Sequence, residues 1–380
     1  MTSSSTLFTQ TASEFVGSAG GPIEEGKYHN TKVLVVRENW LGCTGLSAFN
    51  ALIRAGVQVT SITEAEYLPL WASFPMRVLR RALSYSAVKE FNRALLRDVQ
   101  RYKPDLLLVF KGPIVLADTL RTIGKMGTAR YCFYPDISFE DHGPYLPGAL
   151  PCYDWIFTTK SFGLGDLKTL LGIDTAHYLP HAYDPDVHRP RIPEARDHDQ
   201  YDCDVSFIGN WSRKKAKILE GFIARRPHVK LKIWGDRWQN LARTSPLRPF
   251  TAFHGILGPA YAMANSCSKI CLALLHERVG RASSGDLITS RTFEIPACGG
   301  LLLHERTRDL LNIFTEDENC VCFDDVEELV AKVEALLADE ERRKSIAQRG
   351  REFVESAHSW DHRARTILDH YGRSRATAAA

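Results

Sequence analysis

Short apolar runs that end at turn residues alternate with helical patterns twice along this chain of 380 residues. Lys32 to Asn39 is the first such run, and a helix predicted from Leu46 to Ala55, closed by Gly56, follows it. The pattern restarts at Asp204 to Ile208. Strands that alternate with helices form parallel sheets covered on both faces. The sequence therefore predicts an α/β fold of two Rossmann-like, doubly wound domains that face each other across a cleft.

Composition places the domain boundaries. A segment rich in Pro, Arg and Asp, with few residues that could be buried, separates the two halves and is the expected linker. The expected divisions are a disordered tail (1–30), a first domain (31–184), the linker (185–200), a second domain (201–358), a C-terminal helix that could pack back on the first domain (359–372), and a disordered tail (373–380).

Charge and cysteine usage narrow the class of protein. Apolar residues make up 44% and charged residues 24% of the chain, which is typical of soluble globular proteins. A net charge of +3 is too small to indicate a nucleic-acid partner. The nine cysteines contain no CxxC pair, and four lie in apolar runs (Cys132, Cys203, Cys271, Cys298). We therefore expect free thiols in the cytoplasm, with neither a secretory signal nor a membrane span.

The segment Ser290 to Gly300 reads as a short helix that ends in a Gly-Gly turn. A helix start and Arg291 suit a phosphate, and Glu294, one turn on, could accept hydrogen bonds from two neighbouring hydroxyls. A phosphate beside a diol is half of a nucleotide. An ordinary capped helix with an ion pair is the alternative.

A second basic helix start follows the Gly209 turn, at Ser212 to Lys215. Cations at a helix start oppose the helix dipole unless an anion is bound there. Arg213 and Lys214 are therefore candidates for contacts with a diphosphate, and a solvated basic face is the alternative.

The remaining candidates lie in predicted loops at strand ends. In the second half they are His254, Trp234 and Trp238 near a binding loop, and the long polar loop from His276 to Leu287, which contains Asp286. In the first half they are Gly42, Gly45, Lys111, Asp136, His142 and His181. Asp136 and His142 are the candidates for a general base, and His181 is as readily structural as catalytic.

Two motifs and one basic segment have plainer explanations. Asp202-Cys203-Asp204 has the spacing of a metal-binding DxD but precedes a strand, and His276-Glu277 lacks a second histidine, so we predict no metal site. Phe74 to Leu83 mixes arginines with apolar residues. A basic-edged core helix explains it, and a membrane-surface helix is the alternative.

Six segments, taken in order, resemble the GT-B glycosyltransferases and, within them, the bacterial group related to the spore-maturation protein CgeB. The segments are 111–112, 157–160, 179–185, 207–210, 269–272 and 291–299, within residues 31–370. The resemblance implies a nucleotide-sugar donor bound mainly by the second domain and an acceptor held by the first. It also implies that Glu294 holds the donor ribose and that Arg213 and Lys214 hold its diphosphate. Gly209, His254, Asp286 and Arg291 complete the expected donor site, and Gly42, Gly45 and Lys111 face it from the first domain.

Retaining members of this fold often carry two glutamates separated by seven residues. Here the earlier position is Asp286, so the pattern is Asp-x7-Glu. The resemblance thus predicts a cytoplasmic, metal-independent glycosyltransferase that needs no cofactor beyond the nucleoside-diphosphate sugar. The acceptor would be a glycan, a lipid-linked molecule, a protein or a small molecule, and the lipid-linked case would place the enzyme at the inner face of the membrane. Two alternatives are a sugar-nucleotide epimerase and a non-catalytic nucleotide-sugar scaffold or sensor.

Overall fold

The computed structural model describes residues 28–67 and 74–379, with side chains described within 28–67 and 85–377. The first half forms a six-stranded, wholly parallel sheet in the order β2-β1-β3-β4-β5-β6. Its strands are β1 (Lys32–Arg37), β2 (Gln58–Thr63), β3 (Leu106–Phe110), β4 (Ala129–Tyr134), β5 (Trp155–Thr158) and β6 (Ala176–Tyr178). Its helices are α1 (Thr44–Arg54), α2 (Phe74–Tyr102), α3 (Ala117–Lys125), α4 (Leu146–Ala149) and α5 (Gly163–Leu171).

The second half forms a five-stranded parallel sheet in the order β11-β10-β9-β7-β8. Its strands are β7 (Cys203–Ile208), β8 (Leu231–Trp234), β9 (Ser268–Ala273), β10 (Leu302–Glu305) and β11 (Val321–Phe323). The helices of this half are α6 (Ala195–Tyr201), α7 (Arg213–Arg225), α8 (Pro259–Cys267), α9 (Arg291–Ala297), α10 (Arg308–Leu311), α11 (Val326–Ala338), α12 (Glu340–Ala357) and α13 (Trp360–Ala379).

Strand β1 shows why the sheet is covered on both faces. Its side chains alternate, so Leu34 and Val36 join the core under α2, while Val33 and Val35 join the core under α1. All four are buried, and a strand with two buried faces has the unbroken apolar run that the sequence shows.

The C-terminal helix α13 leaves the second half and packs on the first. Trp360, Ile367 and Leu368 share the core of α1 and β1, and the Tyr28 hydroxyl donates to Asp369 at 2.5 Å. Buried Arg363 donates to the carbonyls of Pro180 and His181, at 2.9 and 3.1 Å. The guanidinium of Arg363 therefore links α13 to the segment that follows the first sheet.

Several predicted boundaries differ from the structure. Helix α1 begins at Thr44, two residues early, because the Cys43 thiol caps it by accepting from the Leu46 N–H at 3.4 Å. Helix α2 begins at Phe74 rather than Ala87. The prediction of a disordered tail over 373–380 is wrong up to Ala379, because helix α13 continues to that residue through a run without proline. The N-terminal tail predicted over 1–30 lies outside the described residues up to 27.

The linker predicted over 185–200 contains buried residues and a helix. Val187 and His188 are buried, because their backbone N–H groups fold back onto the Asp184 carbonyl. Glu194 then caps α6 with a reciprocal capping box. Apart from Val187 and His188, no residue of 185–200 is buried, so the expectation that little of this segment could be buried agrees with the structure.

No helix within the described residues is long and apolar enough to cross a membrane. The basic segment Phe74 to Leu83 is helical in its backbone, but its side chains lie outside the described residues.

Candidate functional site

A cavity of about 270 Å³ lies where loops from both sheets meet. In a doubly wound sheet, ligands bind at the carboxyl ends of the strands, where the strand order reverses. The reversals fall between β1 and β3 and between β7 and β9. The lining comes from the loops after β1, β7 and β8, the segment between the halves, α8 and the start of α9: Trp40, Leu41, Gly42, His188, Ile208, Gly209, Asn210, Gly235, Asp236, Gly255, Ile256, Leu257, Gly258, Tyr261, Ser290, Arg291 and Glu294.

Gly209 makes room for the Arg291 guanidinium. A Cβ at Gly209 would lie 2.8 Å from the Phe207 ring and 3.0 Å from Arg291 Nη1, so a larger residue would displace this side chain. Arg291 Nη2 donates to the Leu274 carbonyl at 3.0 Å, and Arg291 Nε is buried without a hydrogen-bond partner among the described residues. Part of the guanidinium's donor capacity is thus left for an anion.

The first turn of α9 differs from the expected phosphate cradle. The Thr292 N–H donates to the Thr289 carbonyl and the Phe293 N–H to the Ser290 carbonyl, at 3.2 and 3.0 Å. These two backbone donors are already used inside the chain. The anion contact expected at this segment therefore falls to the side chain of Arg291.

Glu294 lies one turn further along α9, at the wall of the cavity and almost buried. The Tyr261 hydroxyl lies beside it, and burial together with the Glu294 charge raises the pKa of Tyr261 well above its ordinary value. A tie between Thr292 Oγ1 and His304 Nε2, 3.1 Å apart, fastens the start of α9 to strand β10. The carboxylate is thus held on a fixed element, as hydroxyl recognition requires.

The basic start of α7 is arranged differently from the prediction. Arg213 is exposed, and Lys214 Nζ forms an ion pair with Glu305 Oε2 at 2.5 Å. The inward cation is Lys215, which is buried and donates to the carbonyl of Asn210 at 3.2 Å. Burial and the nearby Arg291 lower the pKa of the Lys215 ammonium to about 7. This residue shares the buried face of α7 with Leu219 and Phe222.

The two glycines predicted to face the cleft have different surroundings. Gly42 lines the cavity at φ +85°, whereas Gly45 lies within α1, where a Cβ would meet Arg37 at 2.8 Å. Gly45 therefore allows close packing of the helix on β1. Trp40 lines the cavity, whereas Trp234 and Trp238 are buried in the core.

His254 contributes its backbone to this region. Its carbonyl accepts from the Gly235 N–H at 2.9 Å, while its side chain is exposed and does not line the cavity. The loop that it begins, 255–258, forms the wall opposite Trp40 and Leu41.

Asp286 is engaged by a cation from the other half of the chain. Lys160, at the end of β5, places Nζ 2.6 Å from Asp286 Oδ1, and both side chains are nearly buried. Burial alone would raise the pKa of Asp286, but Lys160 outweighs it and holds that pKa below its ordinary value. His181 lies in the same cluster, where burial and then Lys160 lower its pKa to about 3.

The loop 276–287 clasps the first half at two further points. Arg281 Nε donates to both carboxylate oxygens of Glu140, at 2.8 and 3.1 Å. The Ser283 N–H donates to Asp166 Oδ2 at 3.0 Å. The loop predicted to carry function therefore joins the two sheets.

Lys111, Asp136 and His142 form one cluster at the carboxyl edge of the first sheet. Lys111 Nζ and His142 Nε2 both lie close to Asp136 Oδ2, at 2.7 and 3.0 Å. Burial would raise the pKa of Asp136, but His142 and Lys111 outweigh it and hold that pKa far below its usual range. Asp136 is consequently a weak base that orients the imidazole of His142.

Within the described residues, no group of three or more His, Cys, Asp or Glu side chains is placed to hold a metal ion. Asp204, from the discounted DxD spacing, instead pairs with Lys269 at 2.8 Å and accepts from the Lys230 N–H at 3.0 Å.

Comparison with solved structures decides the fold. Sucrose-phosphate synthase from Thermosynechococcus elongatus matches with a TM-score of 0.64 at 14% identity, over 92% of this chain and all of that one. A glycosyltransferase from Rickettsia africae matches with a TM-score of 0.62 at 12% identity, over 91% and 99% of the two chains. The chain has the GT-B fold. The predicted fold class is thereby confirmed.

Other comparisons bear on the second half and on ligands. The family described as glycosyl transferase-like matches residues 213–369. Anabaena HepE, solved in complex with UDP-glucose, matches this GT-B chain with a TM-score of 0.56 at 10% identity, over 92% of this chain and all of that one. A search of curated proteins found no match. Identities this low establish a shared fold and leave the substrate to be argued from the site.

Sequence reasoning missed three residues at this site: Trp40, His188 and Lys215. Lys215 could have been found, because it falls on the apolar stripe of α7. Trp40 lies in the loop after β1, where a single tryptophan carries no pattern that indicates a ligand. His188 gave no local signal, because its neighbours come from distant parts of the chain.

Proposed function

We propose that this protein transfers a sugar from a nucleoside-diphosphate sugar to an acceptor held at the carboxyl edge of the first sheet. The observation that carries the proposal is one cavity that joins a near-buried carboxylate, Glu294, to a guanidinium with an unused donor, Arg291. A carboxylate suits the ribose diol and the guanidinium suits the diphosphate, so the two match the chemistry of a nucleotide. HepE, of the same fold, was solved with UDP-glucose, which makes UDP-sugars the first donors to test.

The departing diphosphate would be stabilised by fixed cations. Arg291 lines the cavity, and Lys215 donates to the carbonyl of Asn210, which also lines it. Arg213 and Lys214 stand on the first turn of the same helix as Lys215. Gly209 lets the backbone approach, and Gly42 faces it from the first half. Asp286 and His254 stay in this proposal as donor-site residues, Asp286 through its pair with Lys160 and His254 through its loop. Charge stabilisation by preorganised groups accounts for much of the rate enhancement in such transfers.

His142 is proposed as the catalytic base, oriented by Asp136. Asp136 occupies Nε2 of the imidazole, which leaves Nδ1 to take the proton of an acceptor hydroxyl. Lys111 shares the same carboxylate oxygen and would keep Asp136 ionised. The acceptor is a hydroxyl-bearing molecule: a glycan, a lipid-linked molecule, a protein or a small molecule.

The proposal extends to five finer points from the sequence. The chain would follow the CgeB-related pattern, divide near residues 185–200 and need no metal. It would work in the cytoplasm, which its nine free thiols support. A membrane-bound acceptor would bring it to the inner face of the membrane.

The test is to incubate the protein with UDP-glucose, UDP-N-acetylglucosamine and GDP-mannose and to follow released nucleoside diphosphate and free sugar. Transfer to water, or faster release with an added acceptor, would support the proposal. A donor converted into a different nucleotide sugar would indicate an epimerase. Tight binding of a nucleotide sugar with no turnover in the presence of any acceptor would favour a non-catalytic scaffold. His142→Gln should keep donor binding and lose turnover, while His198→Gln, on the exposed face of α6, is the matched control.

A further inference from the structure

The basic start of α7 has a carboxylate of the same chain beside it, that of Glu277 in the loop 276–287. Burial would raise the pKa of Glu277, but the Ser212 hydroxyl and the Lys214 N–H, which face its carboxylate, help to hold that pKa below its ordinary value. Ser212 itself caps α7 by accepting from the Lys215 N–H at 3.4 Å. The helix dipole favours a negative charge at this end. Glu277 therefore supplies the anion that a basic helix start requires.

The residues before this carboxylate run along the cations proposed for the diphosphate. The Leu274 carbonyl accepts from Arg291 Nη2 at 3.0 Å, and the Leu275 N–H donates to Glu305 Oε1 at 2.5 Å. The other oxygen of Glu305 pairs with Lys214 Nζ. The start of the loop is thus fixed between the guanidinium of the cavity and the first turn of α7.

The buried ammonium of Lys215 is influenced by the same carboxylate. Burial and the Arg291 charge lower the pKa of Lys215, whereas the charges of Asp286, Glu277 and Glu305 act in the opposite direction. Three carboxylates of the chain therefore lie within electrostatic reach of the inward cation. A bound diphosphate would bring further negative charge to the same place.

Glu277 is the least firmly held of these three carboxylates. Asp286 and Glu305 each form a short ion pair with a lysine, at 2.6 and 2.5 Å. Glu277 Oε2 lies 3.6 Å from His276 Nδ1 and has no hydrogen-bond partner among the described residues. The side chain of Glu277 is 37% exposed, whereas those of Asp286 and Glu305 are 12% and 14% exposed. Glu277 is thus the carboxylate that can leave at the lowest cost.

We propose that Glu277 competes with the donor diphosphate for the start of α7 and so lowers the affinity of the site for phosphorylated ligands. This inference rests on the proposed function. A diphosphate that contacts Arg213 and Lys214 repels the carboxylate, which turns out into solvent. The loss of its contacts with α7 opposes binding. A ligand without phosphates leaves Glu277 in place, so its affinity does not depend on this residue.

The test is isothermal titration calorimetry of wild type, Glu277→Gln and Glu277→Asp with UDP, GDP and ADP and with the matching nucleosides, at one salt concentration. Glu277→Gln should bind the preferred diphosphate about threefold or more tightly than wild type, because the competing charge is absent. Its affinity for the nucleoside should equal that of wild type. Glu277→Asp keeps the charge and should lie closer to wild type than Glu277→Gln. Glu341→Gln, which removes the same charge from an exposed position on α12, is the control and should match wild type.

Three results would overturn the inference while leaving the proposed function intact. One is Glu277→Gln that binds the diphosphate no more tightly than wild type, which would make Glu277 neutral or supportive in binding. Another is an equal gain for the diphosphate and the nucleoside, since the effect would then not act through the phosphates. The third is an equal gain in Glu341→Gln, which would assign the effect to net charge. If neither wild type nor Glu277→Gln binds any of the three diphosphates, the proposed function itself fails, and this inference fails with it.

Discussion

At the scale of single residues, the site depends on where each charge is placed. The proximity of Arg291 and Glu294 could be predicted from the sequence, because the two residues lie three positions apart in one short helical segment. The sequence could not separate Arg213 and Lys214 from Lys215, because burial, which depends on the fold, is what distinguishes the inward cation from its neighbours. His188 could not be predicted, since its partners Glu294 and Tyr261 are brought to it by tertiary structure.

The lowered pKa of Lys215 makes binding of a diphosphate dependent on pH. With a pKa of about 7, Lys215 is mostly neutral at pH 8 and above, so binding an anion requires uptake of a proton. Affinity for UDP should therefore fall as pH rises from 7 to 9, by up to about tenfold per pH unit. Titration calorimetry in buffers of different ionisation enthalpy measures both affinity and proton uptake. Lys215→Met should bind UDP more weakly than wild type, with an affinity that does not depend on pH. If the UDP affinity of wild type does not change with pH, Lys215 does not bind the diphosphate.

The two arginines should differ in their effect on a diphosphate. Arg291→Ala should weaken UDP by about tenfold to a hundredfold while changing the affinity for uridine little, because a charged hydrogen bond to phosphate is lost. Arg213→Ala tests whether the exposed first-turn arginine also reaches the phosphates. A loss of affinity for UDP without a loss of affinity for uridine would support that contact. If Arg213→Ala and wild type bind UDP equally well, Arg213 does not contact the diphosphate, and Arg291 and Lys215 remain as its proposed contacts.

At the scale of secondary-structure elements, periodicity predicted the strands and helices, but not the contacts between loops. The alternating pattern indicated both parallel sheets because many of the strands, such as β1 and β3, are short apolar runs. The clasp formed by loop 276–287 depends on partners in the other half, Glu140, Lys160 and Asp166. Such contacts leave no periodic signal in a sequence.

Loop 276–287 should contribute to stability mainly through the buried ion pair between Asp286 and Lys160. Lys160→Met should lower the free energy of unfolding by about 3 kcal/mol or more, because it leaves the Asp286 carboxylate buried and unpaired. Adding Asp286→Asn should recover part of that loss, since the buried charge is removed. Arg281→Ala, at an exposed pair, should lower the free energy of unfolding far less than Lys160→Met. Urea unfolding measures all three, and a double variant less stable than Lys160→Met would contradict this account.

At the scale of the whole molecule, the return of α13 to the first sheet ties the two halves into one structure. The predicted helix over 359–372 follows the last strand of the second half and could therefore pack back on the first, but no local feature of the sequence indicated the buried guanidinium of Arg363. Arg363 donates to carbonyls at the crossing segment and at the end of α12, including that of Ala357 at 3.2 Å. Burial lowers the pKa of Arg363 to about 10, so it stays charged at neutral pH.

Removing this guanidinium should destabilise the protein as a whole. Arg363→Met keeps the length of the side chain but leaves several buried carbonyls without a donor, at a cost of about 2 to 4 kcal/mol. Calorimetric melting should show a lower transition temperature for the protein. Arg373→Met, on the exposed part of the same helix, is the control. An unchanged melting temperature in Arg363→Met would show that the crossing does not depend on this residue.

The central claim is that the cavity around Glu294 binds a nucleoside diphosphate, and a thermal-shift titration of wild type and Glu294→Ala tests it directly. UDP, GDP, ADP and dTDP would each be titrated, since a ligand that binds only the folded state adds about 2.7 kcal/mol of stability at a hundred times its dissociation constant. We predict a concentration-dependent rise in melting temperature with one ribonucleoside diphosphate, and a rise at least severalfold weaker in Glu294→Ala. No rise with any of them, in protein that melts cooperatively, or an equal rise in both proteins, would contradict the claim.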